Sequence, residues 1–272
     1  MIIYPNAKIN IGLNVVEKRA DGYHNLQTVF YPIPITDVLE INFSGGCGDY
    51  SLCVSGQEIG ADNENNLIIR ALRLLKNDFT VPEIKITLQK NIPMGAGLGG
   101  GSADAAFMLR AINELCALQL TDNQLENYAI RLGADCPVFI ANKPVFAEGT
   151  GNIFSPVNVS LQGYYLVIVK PEIHISTAEA YAGISPRSPE IPLSEKIKLS
   201  IHEWKDLITN DFEESVFLKY PQIREIKQQL YASGAIYAAM SGSGSAVFGL
   251  FKTVPKRLQN AFDGCFYAEM RL

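Results

Sequence analysis

No C-x-x-C pair occurs in this chain, and its five cysteines (Cys47, Cys53, Cys116, Cys136 and Cys265) are odd in number and widely spaced. A disulfide framework is therefore not expected, whereas reduced thiols in a cytoplasmic protein are. Histidine is scarce, with only His24, His174 and His202. Neither H-E-x-x-H nor G-x-S-x-G is present, so a zinc hydrolase or a serine hydrolase is disfavoured. Charged residues make up only 19%, the formal net charge is −5, and no cluster of Lys and Arg runs along the chain. That balance argues against a nucleic-acid partner and against an anionic membrane surface. The longest apolar runs, such as Tyr164 to Val169, are far too short to span a bilayer. The Met1–Pro5 start has neither a basic n-region nor an apolar h-region, so no signal peptide is expected. Internal repeats and low-complexity tracts are absent as well.

What is present is a large apolar fraction, 47% of 272 residues, enough for one large domain or two medium ones. Ala7 to Val15 alternates strictly, with Ala7, Ile9, Ile11, Leu13 and Val15 on one face and Lys8, Asn10, Gly12 and Asn14 on the other. This predicts a half-buried strand. Extended segments are expected at Thr28–Ile35, Leu39–Phe43, Tyr50–Val54 and Glu83–Lys90, with a turn at Ser44-Gly45-Gly46. Helical spacing marks Leu67–Lys76 and Ala103–Leu118, the latter with Met108, Leu109, Ile112, Leu115 and Cys116 as its apolar stripe. Thr121 followed by Gln124 is a capping-box signal for another helix, ending near Gly133. Further on, a buried strand is expected at Tyr164–Lys170. Helices are expected at Thr177–Ala182, Glu203–Lys219 and Ile223–Ser233, and strands at Ala235–Met240 and Ala246–Phe251, with a helix and a last strand closing the chain. Strands and helices are grouped without steady alternation, which predicts α+β. The polar stretch Ser155–Gln162 suggests a boundary dividing 1–157 from 158–272.

The most informative stretch is Pro93-Met94-Gly95-Ala96-Gly97-Leu98-Gly99-Gly100-Gly101-Ser102. It follows a strand and opens a helix, so bare backbone N–H groups can meet an anion at the positive end of the helix dipole. Glycines suit that task because side chains would hold phosphate oxygens away from the backbone. A simple turn needs far fewer of them. The dinucleotide fingerprint also matches at Gly95, Gly97 and Gly100. However, the strand before it alternates and a second helix follows where a parallel strand should be. A Walker A loop fails at Gly101, which stands where the phosphate lysine belongs. Charge neutralisation must come from elsewhere, and Lys8 and Lys90 are the nearest candidates.

Pro93-Met94-Gly95-x-Gly97-Leu98-Gly99-x-Gly101-Ser102-Ala103 resembles the second motif of the GHMP kinases, a family that includes galactokinase, homoserine kinase and mevalonate kinase. Met240-Ser241-Gly242-Ser243-Gly244-Ser245 resembles the third. Ala7-Lys8-Ile9-Asn10, Arg19–Thr28 and Gly133-Ala134-Asp135-Cys136-Pro137-Val138-Phe139 resemble the branch acting on a cytidine diphosphate-linked polyol in the non-mevalonate isoprenoid pathway. The resemblance implies a two-domain fold: an N-terminal domain like ribosomal protein S5 domain 2 and a ferredoxin-like C-terminal domain. It implies ATP and Mg²⁺ as cofactors and phosphoryl transfer to the 2-hydroxyl of a methylerythritol moiety, with no nucleic acid or membrane partner.

The same resemblance assigns residues. Asp135 becomes the general base, although an Asp before x-Pro is by itself more often a helix N-cap. Lys8 becomes its electrostatic partner and Asn10 a substrate contact, where alternation alone reads both as a solvent-facing strand edge. Tyr23 is implied to stack on the cytosine and His24 to bond its polar edge, with Thr177 and Tyr181 closing over the cytidine. Asn66, Leu67 and Lys90 match positions that contact adenosine. Their plainer readings are a helix N-terminus, a core leucine and a surface lysine. Pro93, Met94, Gly95, Ala96, Gly97, Leu98, Gly99, Gly100, Gly101, Ser102 and Ala103 form the ATP loop. Ser102 is compatible with a helix N-cap, a phosphate ligand or a Mg²⁺ ligand. His174, His202 and Trp204 are assigned to packing or surface.

Overall fold

A computed structural model describes residues 1–45, 49–57, 65–255 and 258–272. Gly46, part of the predicted turn, and Cys47 lie outside the described residues. The chain forms two compact units, each assembled from separated segments. The first comprises Met1–Lys8, Pro34–Met94 and Gly99–Lys143; the second comprises Ile9–Ile33, Gly95–Leu98 and Pro144–Leu272.

In the first unit a four-stranded sheet runs in the order Ile2–Ile3, Val38–Phe43, Ile84–Lys90, Tyr50–Gly56. Its last pair is parallel and the others antiparallel. Alternation in the strand Ile84–Lys90 buries Ile84, Ile86 and Leu88 as predicted, and Lys90 continues the same buried face. The helix Leu67–Asp78 is capped by Asn66, whose side chain accepts from Ile68 N–H at 2.9 Å. It packs against the helix Gly100–Leu115. The Thr121–Gln124 capping box is present and opens the helix Asp122–Ile130.

Of two further four-stranded sheets, one lies mostly and the other wholly in the second unit. One runs Asn6–Lys18, His24–Thr36, Val145–Glu148, Ile153–Pro156; the other runs Tyr237–Met240, Val247–Phe251, Tyr165–Lys170, Phe266–Arg271 and is antiparallel throughout. Its core includes Val167, Val169, Phe212, Ile223, Leu230 and Phe251. The helices Phe212–Lys219 and Pro221–Ala232 contribute to that core.

Several expectations are corrected. The strand Asn6–Lys18 is covered on both faces from Ala7 to Val15, so Lys8, Asn10 and Asn14 are buried and do not form a solvent-facing edge. Buried polar groups need partners, and each has one: Asp135 for Lys8, Thr28 for Asn10 and Asp211 for Asn14. The glycine helix starts at Gly100 with Gly99 at the N-cap in left-handed backbone, so Ser102 is no cap. That helix stops at Leu115, short of Leu118, because Ala117 and Gln119 take positive φ. Asp135 caps nothing either, since Pro137 holds the N-cap position of the helix Val138–Ala141. The predicted helix Glu203–Lys219 is broken between Leu207 and Phe212. There Thr209 and Asp211 exchange backbone hydrogen bonds with Leu13.

Candidate active site

Lys8 lies on a strand whose surroundings exclude water, and its ammonium reaches Asp135 Oδ2 at 3.2 Å. The lysine side chain is 3% exposed and the aspartate 37%, so a buried cation holds a carboxylate that still faces solvent. A base poised for an incoming hydroxyl needs that combination of fixed position and open approach. The stem of Lys8 runs beside Gly99: a Cβ added there would lie 3.1 Å from Lys8 Cε and 2.9 Å from Phe139 Cζ. In the first unit the cation, the carboxylate and the start of the glycine helix therefore come together.

The loop alternates between packing and exposure. Pro93, Ala96, Leu98, Gly100 and Ala103 are buried, whereas Met94 is exposed and Gly95, Gly97, Gly99, Gly101 and Ser102 are half-buried. The accessible backbone is thus largely glycine. Gly95, Gly97 and Gly99 all have positive φ, which side chains resist. In the second unit the Met240–Ser245 turn seats the first part of the loop. Ser241 Oγ donates to Gly97 C=O at 2.8 Å, and Ala246 N–H donates to Ala96 C=O at 3.1 Å. Ser241 Oγ also accepts from Asn10 N–H at 3.3 Å, while Asn10 Nδ2 donates to Thr28 Oγ1 at 2.9 Å. His174 faces Gly95 so closely that a Cβ there would sit 2.4 Å from its Nδ1.

Lys90 is not a surface lysine. Its ammonium is buried between Asp37 and Asp104, the latter at 2.8 Å. Sequence reasoning missed both acids. A signal existed for Asp104, which stands inside the apolar run Ala103–Ala106 on the buried face of an amphipathic helix. Burial pushes the Asp104 carboxyl up to about 7, with Lys90 opposing the rise and Asp37 adding to it. An unfolded chain releases this proton near its ordinary value of 3.8. Between those values the native state binds the extra proton, so this group makes stability fall as pH rises from about 4 to about 7. Asp104→Asn is expected to flatten that slope. Thermal melts of both proteins across this range test it, and parallel curves would rule the effect out.

Asn66 is occupied as a helix cap. Leu67 is only half-buried and lies near the helix start, 3.7 Å from a Cβ built at Gly101, so it is not a core leucine.

In the second unit the Arg19–Tyr23 turn is tied tightly. Asp21 Oδ1 accepts from Tyr23 N–H at 3.1 Å, Arg19 pairs with Asp21 at 2.8 Å, and Arg19 N–H donates to Tyr23 C=O at 2.8 Å. Tyr23 stands out of this turn with 67% exposure. His24 stacks on Tyr181 at 4.8 Å between ring centroids, and Tyr181 packs edge-on against Phe212. Thr177, exposed, begins the helix Thr177–Ala182 that carries Tyr181. Residues far apart in sequence, His24 and Tyr181, thus share one aromatic surface. Trp204 is fully packed, in keeping with its assignment.

Among the described residues no group of three or more His, Cys, Asp or Glu side chains converges as a metal cage. No helix there is long and apolar enough to cross a membrane.

Comparison with known proteins identifies the family. The family model described as GHMP kinases N terminal domain matches residues 66–143, and that described as GHMP kinases C terminal matches 194–268. A Bacteroides fragilis protein named 4-diphosphocytidyl-2-C-methyl-D-erythritol kinase is 56% identical over 274 residues, covering 100% of both chains. A Parabacteroides distasonis protein of the same name is 54% identical, again over the whole of both. A crystal structure of 4-(cytidine 5'-diphospho)-2C-methyl-D-erythritol kinase superposes with a TM-score of 0.82 at 29% identity, covering 100% of this chain and 99% of that one. Mevalonate kinase from Methanococcus jannaschii, at 17% identity and a TM-score of 0.72, shares the fold, covering 100% of this chain and 98% of that one. The chain belongs to the GHMP kinases, with their two-domain α+β fold, and is an ATP-using kinase that transfers a phosphoryl group to an alcohol.

Proposed function

We propose that this kinase phosphorylates the 2-hydroxyl of 4-diphosphocytidyl-2-C-methyl-D-erythritol, an isoprenoid precursor, with residues 1–157 as the ATP-binding half and 158–272 as the C-terminal half. The observation that carries the chemistry is the Lys8–Asp135 pair beside Gly99. In this reading Asp135 takes the hydroxyl proton, the freed oxygen bonds to the γ-phosphorus, and the bond from that phosphorus to the β-phosphate oxygen breaks, leaving ADP. Such transfers depend chiefly on positioning and charge stabilisation. Lys8 serves both ends by fixing the carboxylate and offsetting charge on the transferring group. The backbone N–H groups at Gly99 and Gly101, at the start of the glycine helix, receive phosphate oxygens. Magnesium, when bound with the nucleotide, neutralises phosphate charge. Ser102 is the residue that would hold it, and one oxygen donor fits an ion that keeps waters and phosphate oxygens as its other ligands. A cytoplasmic location accords with the reduced-thiol reading of the cysteines.

The aromatic surface supports the cytidine end. Tyr23 offers a free ring face, and His24, held against Tyr181, offers polar ring atoms. Mevalonate and homoserine lack a nucleobase and would leave these rings unused. The direct test is ATP consumption with 4-diphosphocytidyl methylerythritol against ATP alone, mevalonate and homoserine. Turnover with either small acid in place of the cytidine compound would refute the assignment. Tyr23→Ala should raise KM for the cytidine substrate by roughly 5- to 150-fold, the worth of one base–aromatic stack. The ATP KM should stay nearly constant, and Tyr23→Phe should be mild. His24→Ala should also erode discrimination between cytidine and uridine forms. Unchanged values for Tyr23→Ala would leave a kinase with no cytidine site at this turn.

A further inference from the structure

The chain on either side of Pro93–Leu98 is held by one buried cluster. Asp37 accepts from the backbone N–H groups of Asn91 at 2.6 Å and Ile92 at 2.9 Å, and from the Lys90 ammonium. Lys90 carries the connection to Asp104 Oδ2 at 2.8 Å, in the second turn of the helix Gly100–Leu115. The helix start and the strand end also touch directly. A Cβ at Gly100 would lie 2.8 Å from Ile92 Cγ2 and 3.3 Å from Lys90 Nζ. Asp37 thus fixes the residues just before the loop, Asp104 the turns just after it, and Lys90 joins the two.

Buried charges stabilise a fold inefficiently, because desolvation offsets much of their attraction and apolar residues of similar volume often do as well or better. This cluster sets two carboxylates against one ammonium and leaves Asp104 Oδ1 buried without a hydrogen-bond partner. Its distinctive property is directional: it fixes the separation of two chain segments. We propose that Asp37, Lys90 and Asp104 are positioning residues for ATP, setting the span between strand end and helix start across which the glycine loop is drawn, while their charged ends bind no nucleotide. The proposal rests on the reading of the loop as the phosphate site. Aligned N–H groups tolerate little displacement, since misplacement by about 1 Å can cost roughly 100-fold.

The test replaces the cluster without cutting it in half. In the triple variant Asp37→Asn/Lys90→Met/Asp104→Leu, the amide oxygen at position 37 can still accept from both backbone N–H groups while the charges of the strap are removed. This variant is expected to melt near the wild-type temperature, the removed desolvation cost of the charges offsetting the buried amide at position 37, yet to bind a non-hydrolysable ATP analogue roughly tenfold or more weakly by calorimetry. Its KM for the acceptor should stay near wild type. Wild-type affinity would overturn the proposal, as would loss of affinity that only follows loss of stability. If the triple variant does not fold, Asp104→Asn decides the matter: it keeps size and one acceptor, and a Kd raised a few-fold is expected. An unchanged Kd overturns the proposal. Gly101→Ala separates this from the underlying reading. If Gly101→Ala weakens ATP binding and the cluster variants do not, the strap alone fails. If none of these variants weakens it, the phosphate site itself is misplaced.

Discussion

Asp135→Asn is expected to lose most turnover, roughly 10²- to 10⁴-fold in kcat, the usual worth of a positioned base. The reason is local. Asparagine matches aspartate in size and still offers Lys8 a carbonyl oxygen at the position now 3.2 Å from its ammonium. The fold should therefore survive, and with it the start of the glycine helix beside which the Lys8 stem runs. What disappears is the capacity, proposed for Asp135, to take a proton from the acceptor hydroxyl. ATP affinity should change little, because the loop N–H groups are untouched. Steady-state kinetics with calorimetry on the same preparation provide the check. Near-normal kcat would remove Asp135 from the chemistry. A parallel collapse of ATP affinity would instead assign it to nucleotide binding.

The strongest sequence signals were those fixed by local chemistry. The capping box at Thr121 and Gln124 needs only neighbouring residues, and it formed as read. The helix after the glycines and the alternation of Ile84, Ile86 and Leu88 were legible for the same reason. Polar positions in the strand Asn6–Lys18 were read in part. Alternation separates two faces but cannot tell whether the polar one meets water or other polar groups. Here it meets Asp135, Thr28 and Asp211, from distant parts of the chain. Lys90 failed in the same manner, because its partners Asp37 and Asp104 lie 53 and 14 residues away. The Glu203–Lys219 break was invisible because its cause is backbone pairing with Leu13. The family motifs supplied what pattern could not, the pairing of Lys8 with Asp135; the stacking of His24 on Tyr181 was not foreseen.

Gly97→Ala should be the most damaging single methyl that the loop can receive. A Cβ at Gly97 would lie 1.9 Å from the backbone oxygen of Ser241, 2.8 Å from its carbonyl carbon and 3.2 Å from Gly244 N. Those are backbone atoms of the turn that also accepts and donates around Ala96 and Asn10, so no side-chain rotation relieves the contact. The residue also sits at φ +73, where an L side chain costs about 1–2 kcal/mol before any clash. Either the turn retreats, breaking the Ser241 Oγ bond to Gly97 C=O, or the loop leaves its seat. Both outcomes misdirect the N–H groups proposed to bind phosphate, and a loss of ATP affinity of roughly 100-fold is expected. Gly101→Ala is the matched control. It lacks a positive φ, and the nearest atom to its added Cβ is Leu67 Cδ1 at 3.7 Å. That variant should melt like wild type, so any affinity it loses reports the ligand and not the fold. Melting temperature and calorimetric Kd on both proteins make the comparison. A Gly97→Ala protein with wild-type values in both would mean that the loop does not rest on the Ser241 turn.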